Sequence, residues 1–387
     1  MDQHVTDSIV YIGVDDKSID LFESQYAVPN GISYNSYVIL DEKTAVMDTV
    51  DARGTAGWLD NLTAALDGRP LDYLVVLHME PDHSGSLKIL ADKYPDMKIV
   101  GNAKTFTMMQ QFFALDLTDR MVTVKEGDTL SLGAHTLQFV MAPMVHWPEA
   151  MVAYEQKEKI LFAADAFGKF GALDTQEPWD DEARRYYINI VGKYGLQVQA
   201  LLKKAAALDI AMICPLHGPI LKENLPHYIE KYNIWSSYAP EEEGVLIACA
   251  SIHGHTMQAA KKMAEILEAK GARRVKVLDL ARDDMALAVS EAFRYDRLLL
   301  TAASYNADVF PCMEAFLLHL RGKNYQKRAV GLLENGTWAP SAGKCMKEIL
   351  SKMKDIRLCQ QMVTVKSAYK DADLPAMEAL AEELLSK

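Results

Sequence analysis

The stretch "HMEPDHSGS", residues 78–86, sets two histidines, a glutamate and an aspartate within six positions, directly after the apolar run Leu71–Leu77. That run reads as a buried strand, and Pro81 argues against a helix across the motif. The polar side chains are therefore expected on a loop at a strand end, where a rigid scaffold commonly carries its chemistry. His78 and Glu80, two residues apart, share one side of an extended chain. Three more ligand-type residues close apolar runs downstream: His146 in "PMVHWPEAM", Asp165 in "KILFAADAFGKFG" and His217 in "MICPLHGPI". Each of these alone is more often an ordinary, satisfied polar residue than a ligand. Jointly they require several strands to end along one edge of a sandwich, and that convergence points to a metal centre.

Beyond residue 240 the pattern changes. The polar stretch "YAPEEEG" (238–244) gives way to the apolar "VLIACAS", and then to "VKVLDL", "RLLLTAA" and "RAVGLLE" with helical segments between them, such as "TMQAAKKMAEILEAKG". Strand then helix, repeated, predicts a doubly wound parallel sheet over 244–387. Before that point, turns such as "KEGDTLSLGAHTLQFV" predict a hairpin-rich α/β sandwich over 1–243. A length of 387 residues accommodates two or three domains.

Composition narrows the partners. The net charge of −12 argues against nucleic acid, and it is unevenly shared, with −16 over 1–243 and +4 over 244–387. No apolar run approaches a membrane span and the N-terminus lacks a signal pattern, so a soluble, cytoplasmic protein without membrane contact is expected. The five cysteines are scattered with no C-x-x-C pair, which argues against an iron–sulfur or rubredoxin-type Cys₄ site in this chain.

The order H-x-[HE]-x-D-H followed by a distant His, Asp and His resembles the metallo-β-lactamase fold. With Glu80 at the third motif position it resembles the flavodiiron proteins, whose order is matched by His78, Glu80, Asp82, His83, His146, Asp165 and His217. "YNSYVI", "HWPEAM", "DAFGKFG" and "EARRYYINI" are similar to that family as well, so the resemblance spans essentially the whole chain. It implies an αββα sandwich followed by a flavodoxin-like domain. It also implies one iron held by His78, Glu80 and His146, and a second held by Asp82, His83 and His217. Asp165 suits a bridge, since its two oxygens can face two ions. Four imidazoles and three carboxylates suit redox iron better than thiolates would, although donor types alone leave zinc and manganese open.

Within the second domain, Ser251, Gly254 and Thr256 of "ASIHGHTMQ" fit the S-x-x-G-x-T phosphate loop of flavodoxins, here containing His253 and His255 where Tyr and Asn are frequent. The resemblance places Ser304, Tyr305 and Asn306 of "ASYNADVF", and Gly336, Thr337 and Trp338 of "ENGTWAPSAG", beside the FMN ring. These loops also depart from the commonest family text.

The implied function is reduction of O₂ to water, of NO to N₂O, or of both, by FMN and two irons. The implied electron donor is rubredoxin-like, reached directly or through an NAD(P)H-dependent reductase. Tyr26 and Tyr194 are candidate pocket residues, and a head-to-tail homodimer, or a dimer of such dimers, is implied by the family. Two alternatives use the same residues differently: a metal-dependent hydrolase carrying a flavin domain, and a flavin carrier or sensor without catalysis.

Overall fold

The computed structural model describes residues 4–117 and 119–386. The chain forms two compact units. One comprises residues up to Tyr187 together with Tyr194–Asn233, and the other Ile188–Lys193 together with the chain from Ile234 onward.

The first unit is built on two sheets. One runs Ile9–Tyr11, Tyr37–Leu40, Thr44–Met47, Tyr73–Val75, Lys98–Gly101, Met121–Thr123; the other runs Thr129–Ser131, Thr136–Met141, Met151–Glu155, Ile160–Phe162, Met212–Cys214. Alternation along the strands explains why they stack. Ala45 and Met47, with Leu137, Phe139, Met151, Ala153, Ile160 and Phe162, all enter one buried cluster between the sheets. The opposite-facing residues Val46, Leu74, Ile99, Val152, Leu161 and Ile213 are buried too, so the outer faces are also covered. Trp58, Leu62 and Leu66 form the buried stripe of the helix Thr55–Leu66, at the spacing of one helical face. The result is an αββα sandwich.

The expectation that Pro81 keeps its surroundings non-helical is corrected. A short helix, Pro81–Ser84, begins at the proline and contains Asp82 and His83, with Glu80 as its N-cap. Proline at the first helical position forfeits only an N–H that has no intrahelical acceptor there, so it starts a helix rather than breaking one.

The second unit is a parallel sheet in the order Val275–Asp279, Glu242–Ala250, Tyr295–Tyr305, Arg328–Asn335, Ile356–Val365, with Asp308–Val309 pairing antiparallel to the end of Tyr295–Tyr305. The order reverses direction beside Glu242–Ala250, which opens a crevice at the carboxyl ends of the central strands. No helix among the described residues is long and apolar enough to cross a membrane.

One hairpin of the sandwich is pinned by charge. Asp41 Oδ2 accepts hydrogen bonds from the His135 backbone N–H (2.6 Å) and Nδ1 (2.8 Å). Burial opposes ionisation of Asp41, but the bonds from His135 and Glu42 outweigh it and hold the carboxyl well below the usual range. A depressed carboxylate stabilises the fold above its unfolded value near ~4 and loses that contribution as pH falls below it. Asp41→Asn is therefore expected to cost roughly 1.5–3 kcal/mol at neutral pH and progressively less as pH falls below ~4, read from urea unfolding at neutral pH and at about pH 3.

Candidate functional site

All seven metal-type residues converge. His78 ends the segment that continues Tyr73–Val75, and Glu80, Asp82 and His83 come next, at the short helix. His146 lies in the turn before Met151–Glu155, and Asp165 and His217 come just after Ile160–Phe162 and Met212–Cys214. Their donor atoms fall into two groups able to hold a metal ion: His78, Glu80, His146 and Asp165, and Asp82, His83 and His217. Glu80 Oε2 lies 2.9 Å from His146 Nε2 and 3.3 Å from His78 Nε2; Asp82 Oδ2 lies 3.2 Å from His217 Nε2 and 3.3 Å from His83 Nε2. Asp165 divides its oxygens between the groups. Its Oδ2 is 3.3 Å from His78 Nε2 and 3.1 Å from His146 Nε2, while its Oδ1 is 3.0 Å from His83 Nε2 and 3.8 Å from His217 Nε2.

Glu80 is hydrogen-bonded to His78 and His146 in the first group, but the atoms of the second group are close without satisfying one another. Both Asp82 oxygens, both His83 ring nitrogens, His217 Nε2 and Asp165 Oδ1 are buried with no well-directed hydrogen bond among the described residues. Burying polar atoms unpaired costs ~1–3 kcal/mol each, a penalty that bound cations would remove. The electrostatics agree. Burial opposes protonation of His146, yet Asp165 and Glu80 overcome it and push the imidazole up to about 9; Asp165, despite its burial, is held well below the carboxylate range by His78 and His83. The site is arranged for positive charge.

Several supporting groups carried no sequence signal. Glu149 Oε1 accepts hydrogen bonds from His78 Nδ1 (2.9 Å) and the Met79 N–H (2.8 Å), and so turns His78 Nε2 toward the donor cluster. His217 Nδ1 donates to the Ser33 carbonyl at 2.7 Å, with the same effect. The buried Asp48 accepts from the Leu77 and His78 N–H groups, while Thr49 binds the His83 carbonyl, so residues 48–49 cradle the motif backbone. Phe22, Tyr34 and Tyr186 surround the His217 ring at centroid distances of 5.4, 6.0 and 5.4 Å. Of the two candidate pocket tyrosines, Tyr26 is buried and packs on Phe170, itself in contact with Phe22, while Tyr194 is half-buried at the start of the helix Gly195–Ala205.

In the second unit a cleft of ≈ 510 Å³ opens at the crevice. Every residue expected there lines it except Ser251 and Gly254, which shape the loop instead: Ser251 Oγ accepts from the Gly254 N–H at 3.1 Å. Ser304 faces the cleft but also serves structure, since its Oγ accepts from the Ser341 and Ala342 N–H groups. Asn335, also unforeseen, donates from Nδ2 to Thr256 Oγ1 (3.2 Å) and to the Ser367 carbonyl (2.7 Å), clamping three loops together. Trp338 is 90% exposed at the cleft. The volume suits a small cofactor, and the helix His255–Ala269 presents its N-terminus without a side-chain cap, as an anion site requires.

Comparison with known proteins extends these observations. The family model described as "ODP family beta lactamase" matches residues 32–218. The anaerobic nitric oxide reductase flavorubredoxin of Vibrio vulnificus is 29% identical over 348 residues, covering 87% of this chain and 70% of that one. The nitric oxide reductase of Moorella thermoacetica is 28% identical, covering 99% of this chain and 98% of that one. Among solved structures, the rubredoxin oxygen:oxidoreductase of Desulfovibrio gigas superposes with a TM-score of 0.92 at 27% identity, covering 98% and 97% of the two chains.

Proposed function

Because this chain belongs to the flavodiiron protein family, we propose that it is an oxidoreductase that reduces O₂ to water, NO to N₂O, or both, with electrons from a rubredoxin-type donor. The observation that carries the reading is Asp165, whose two oxygens face two separate donor groups. When bound, FMN supplies one-electron exchange with the donor, and two irons supply the electrons that reduce the gas.

The rest is the work of the chain's own residues. His78, Glu80 and His146 would hold one iron, Asp82, His83 and His217 the other, and Asp165 would span them. Three carboxylates offset most of the charge of two ferrous ions, and Glu80 gives the first group an anionic oxygen where an imidazole would leave more positive charge. Glu149 and the Ser33 carbonyl fix the orientation of His78 and His217. The aromatic wall around His217 keeps bulk water from the centre. Ser251, Thr256 and the uncapped helix N-terminus would take the flavin phosphate. A cytoplasmic location and a head-to-tail homodimer belong to the same proposal.

The test is metal and flavin content of protein purified without oxygen, followed by separate O₂ and NO consumption assays with reduced rubredoxin. About two irons and one FMN per chain with gas turnover support the reading. Stoichiometric zinc with no gas consumption after iron reconstitution would overturn it. A companion prediction concerns support of the site: Glu149→Ala is expected to weaken metal retention ~10–100-fold against a chelator while leaving the circular dichroism unchanged. Unaltered chelator resistance would remove Glu149 from its orienting role.

A further inference from the structure

At the end of the sandwich away from the metal donors, three side chains line up that the gas chemistry does not use. Ser8 leads into the strand Ile9–Tyr11, Asp41 follows Tyr37–Leu40 and His135 precedes Thr136–Met141, so all three sit at the same end of the two stacked sheets. His135 Nε2 lies 3.0 Å from Ser8 Oγ, and Nδ1 lies 2.8 Å from Asp41 Oδ2. The imidazole residue is 1% exposed, while Ser8 is half-buried and keeps part of its surface in solvent.

The hydrogen bonds give this array a direction. A carboxylate only accepts, so in the neutral ring Nδ1 carries the hydrogen and Nε2 presents its lone pair to the Ser8 hydroxyl. Asp41 is itself fixed, since Oδ2 also accepts from the His135 backbone N–H at 2.6 Å and Oδ1 from the Glu42 N–H at 2.8 Å. Gly133 takes φ +125°, and a Cβ there would stand 2.8 Å from Asp41 Oδ1, so the turn before His135 has room for the carboxylate only as glycine. Nucleophile, base and orienting carboxylate thus stand in the relation of an acyl-transfer triad, which is recognised by geometry and roles rather than by chain order. The Ser8 N–H makes one long contact among the described residues, 3.4 Å to Thr6 Oγ1, which leaves it available to an oxyanion formed at its own side chain. Glu158 Oε1 lies 3.8 Å from His135 Nε2, where it favours an imidazolium and repels anionic substrates.

We propose that Ser8, His135 and Asp41 form a second reaction centre, which takes acyl groups from small uncharged esters with good leaving groups and passes them to water. Ser8 Oγ bonds to the acyl carbon as its proton passes to His135 Nε2. The ester C–O bond then breaks, and the leaving oxygen takes that proton. Water, deprotonated by the same ring, attacks the acyl-serine, and the proton returns to Ser8 Oγ as the carboxylic acid departs. No electrons are exchanged and no metal takes part. Asp41 holds the ring in the required tautomer and offsets its transient charge. A half-buried hydroxyl admits a small acyl group better than a bulky one, and Glu158 selects against anionic donors.

The experiment treats the full-length protein with a small alkyl fluorophosphonate, from which a serine oxygen displaces fluoride to leave a stable phosphonyl ester, and locates the label by peptide mass mapping. Consumption of p-nitrophenyl acetate is followed before and after labelling. Wild type, Ser8→Ala and His135→Gln are compared, with circular dichroism as the check on folding. The expected result is a phosphonyl group on Ser8 well before any on the exposed Ser24 and Ser351, none at position 8 in Ser8→Ala, and labelling slowed ~100-fold in His135→Gln. Ester consumption should stop once Ser8 is blocked. Labelling of Ser8 no faster than of Ser24 and Ser351 overturns the proposal, as does labelling of a folded His135→Gln chain at the wild-type rate. Ester consumption that continues undiminished after Ser8 is blocked also overturns it, placing any hydrolysis elsewhere, such as at the metal centre. If His135→Gln fails to fold, the comparison of Ser8 with Ser24 and Ser351 in the wild-type chain still decides.

Discussion

Asp165→Asn is expected to reduce the metal content of the purified protein from about two ions per chain to about one or fewer, and gas consumption by at least ~100-fold. Asparagine has nearly the shape of aspartate, and position 165 is 1% exposed, so packing is preserved. What changes is the donor chemistry. One of the two oxygens becomes an amide nitrogen with no lone pair to offer, so the residue can serve one of the groups it faces but not both. The negative charge set among His78, His83 and His146 also disappears. Elemental analysis beside circular dichroism separates loss of metal from loss of fold. Two tightly held ions in a fully active Asp165→Asn protein would sink the bridging role.

The largest effect on stability is expected at Arg328→Met, about 3–5 kcal/mol. Arg328 is 2% exposed and has no carboxylate partner among the described residues. Its guanidinium instead donates to backbone carbonyls of Tyr238, Ala239, Phe293, Tyr295 and Gln326. One side chain thus satisfies carbonyls where several segments of the second unit end, and methionine would fill the space while leaving them buried and unpaired. Burial disfavours the charge and lowers the guanidinium from its usual value, with Tyr325 and Asp296 acting against the shift. A lowered urea midpoint for flavin release reads the loss; a shift equivalent to less than ~1 kcal/mol would show that water replaces the guanidinium.

The convergence of the seven metal-type side chains was legible because imidazole and carboxylate at strand ends announce themselves without any knowledge of tertiary structure. The first four strand runs of the second unit were legible for a different reason, being short, apolar and separated by helical spacing. The fifth strand, Ile356–Val365, was not foreseen. Its register against Arg328–Asn335 shifts between Val330 and Leu332, so the extra residues break the alternation and leave Gln360 exposed between buried Cys359 and Val363. Glu383 completes this irregularity by accepting from the Gln360 and Gln361 N–H groups at 2.7 and 2.8 Å, from a helix far along the chain. The role of Glu149 was hidden similarly. It lies three residues after His146 but supports His78, a pairing that exists only once Met151–Glu155 and the motif loop are adjacent. Grouping of Ile188–Lys193 with the second unit likewise depends on long-range bonds, such as Asn189 Nδ2 to the Ala286 carbonyl at 3.0 Å.

The side chains able to hold metal come from the ends of strands in both sheets of the sandwich and span the chain from residue 78 to residue 217. Ions seated there would act as a cross-link, restricting the unfolded chain as a long disulfide loop does, on the order of 4–5 kcal/mol by loop entropy alone. During synthesis this tie cannot close until His217 has left the ribosome, so the first sheet has to assemble without it. A cell short of iron would then face a shorter-lived protein as well as an idle one, because the unmetallated sandwich opens to proteases more often. Iron supply would set how many copies survive, and through that the capacity to consume gas.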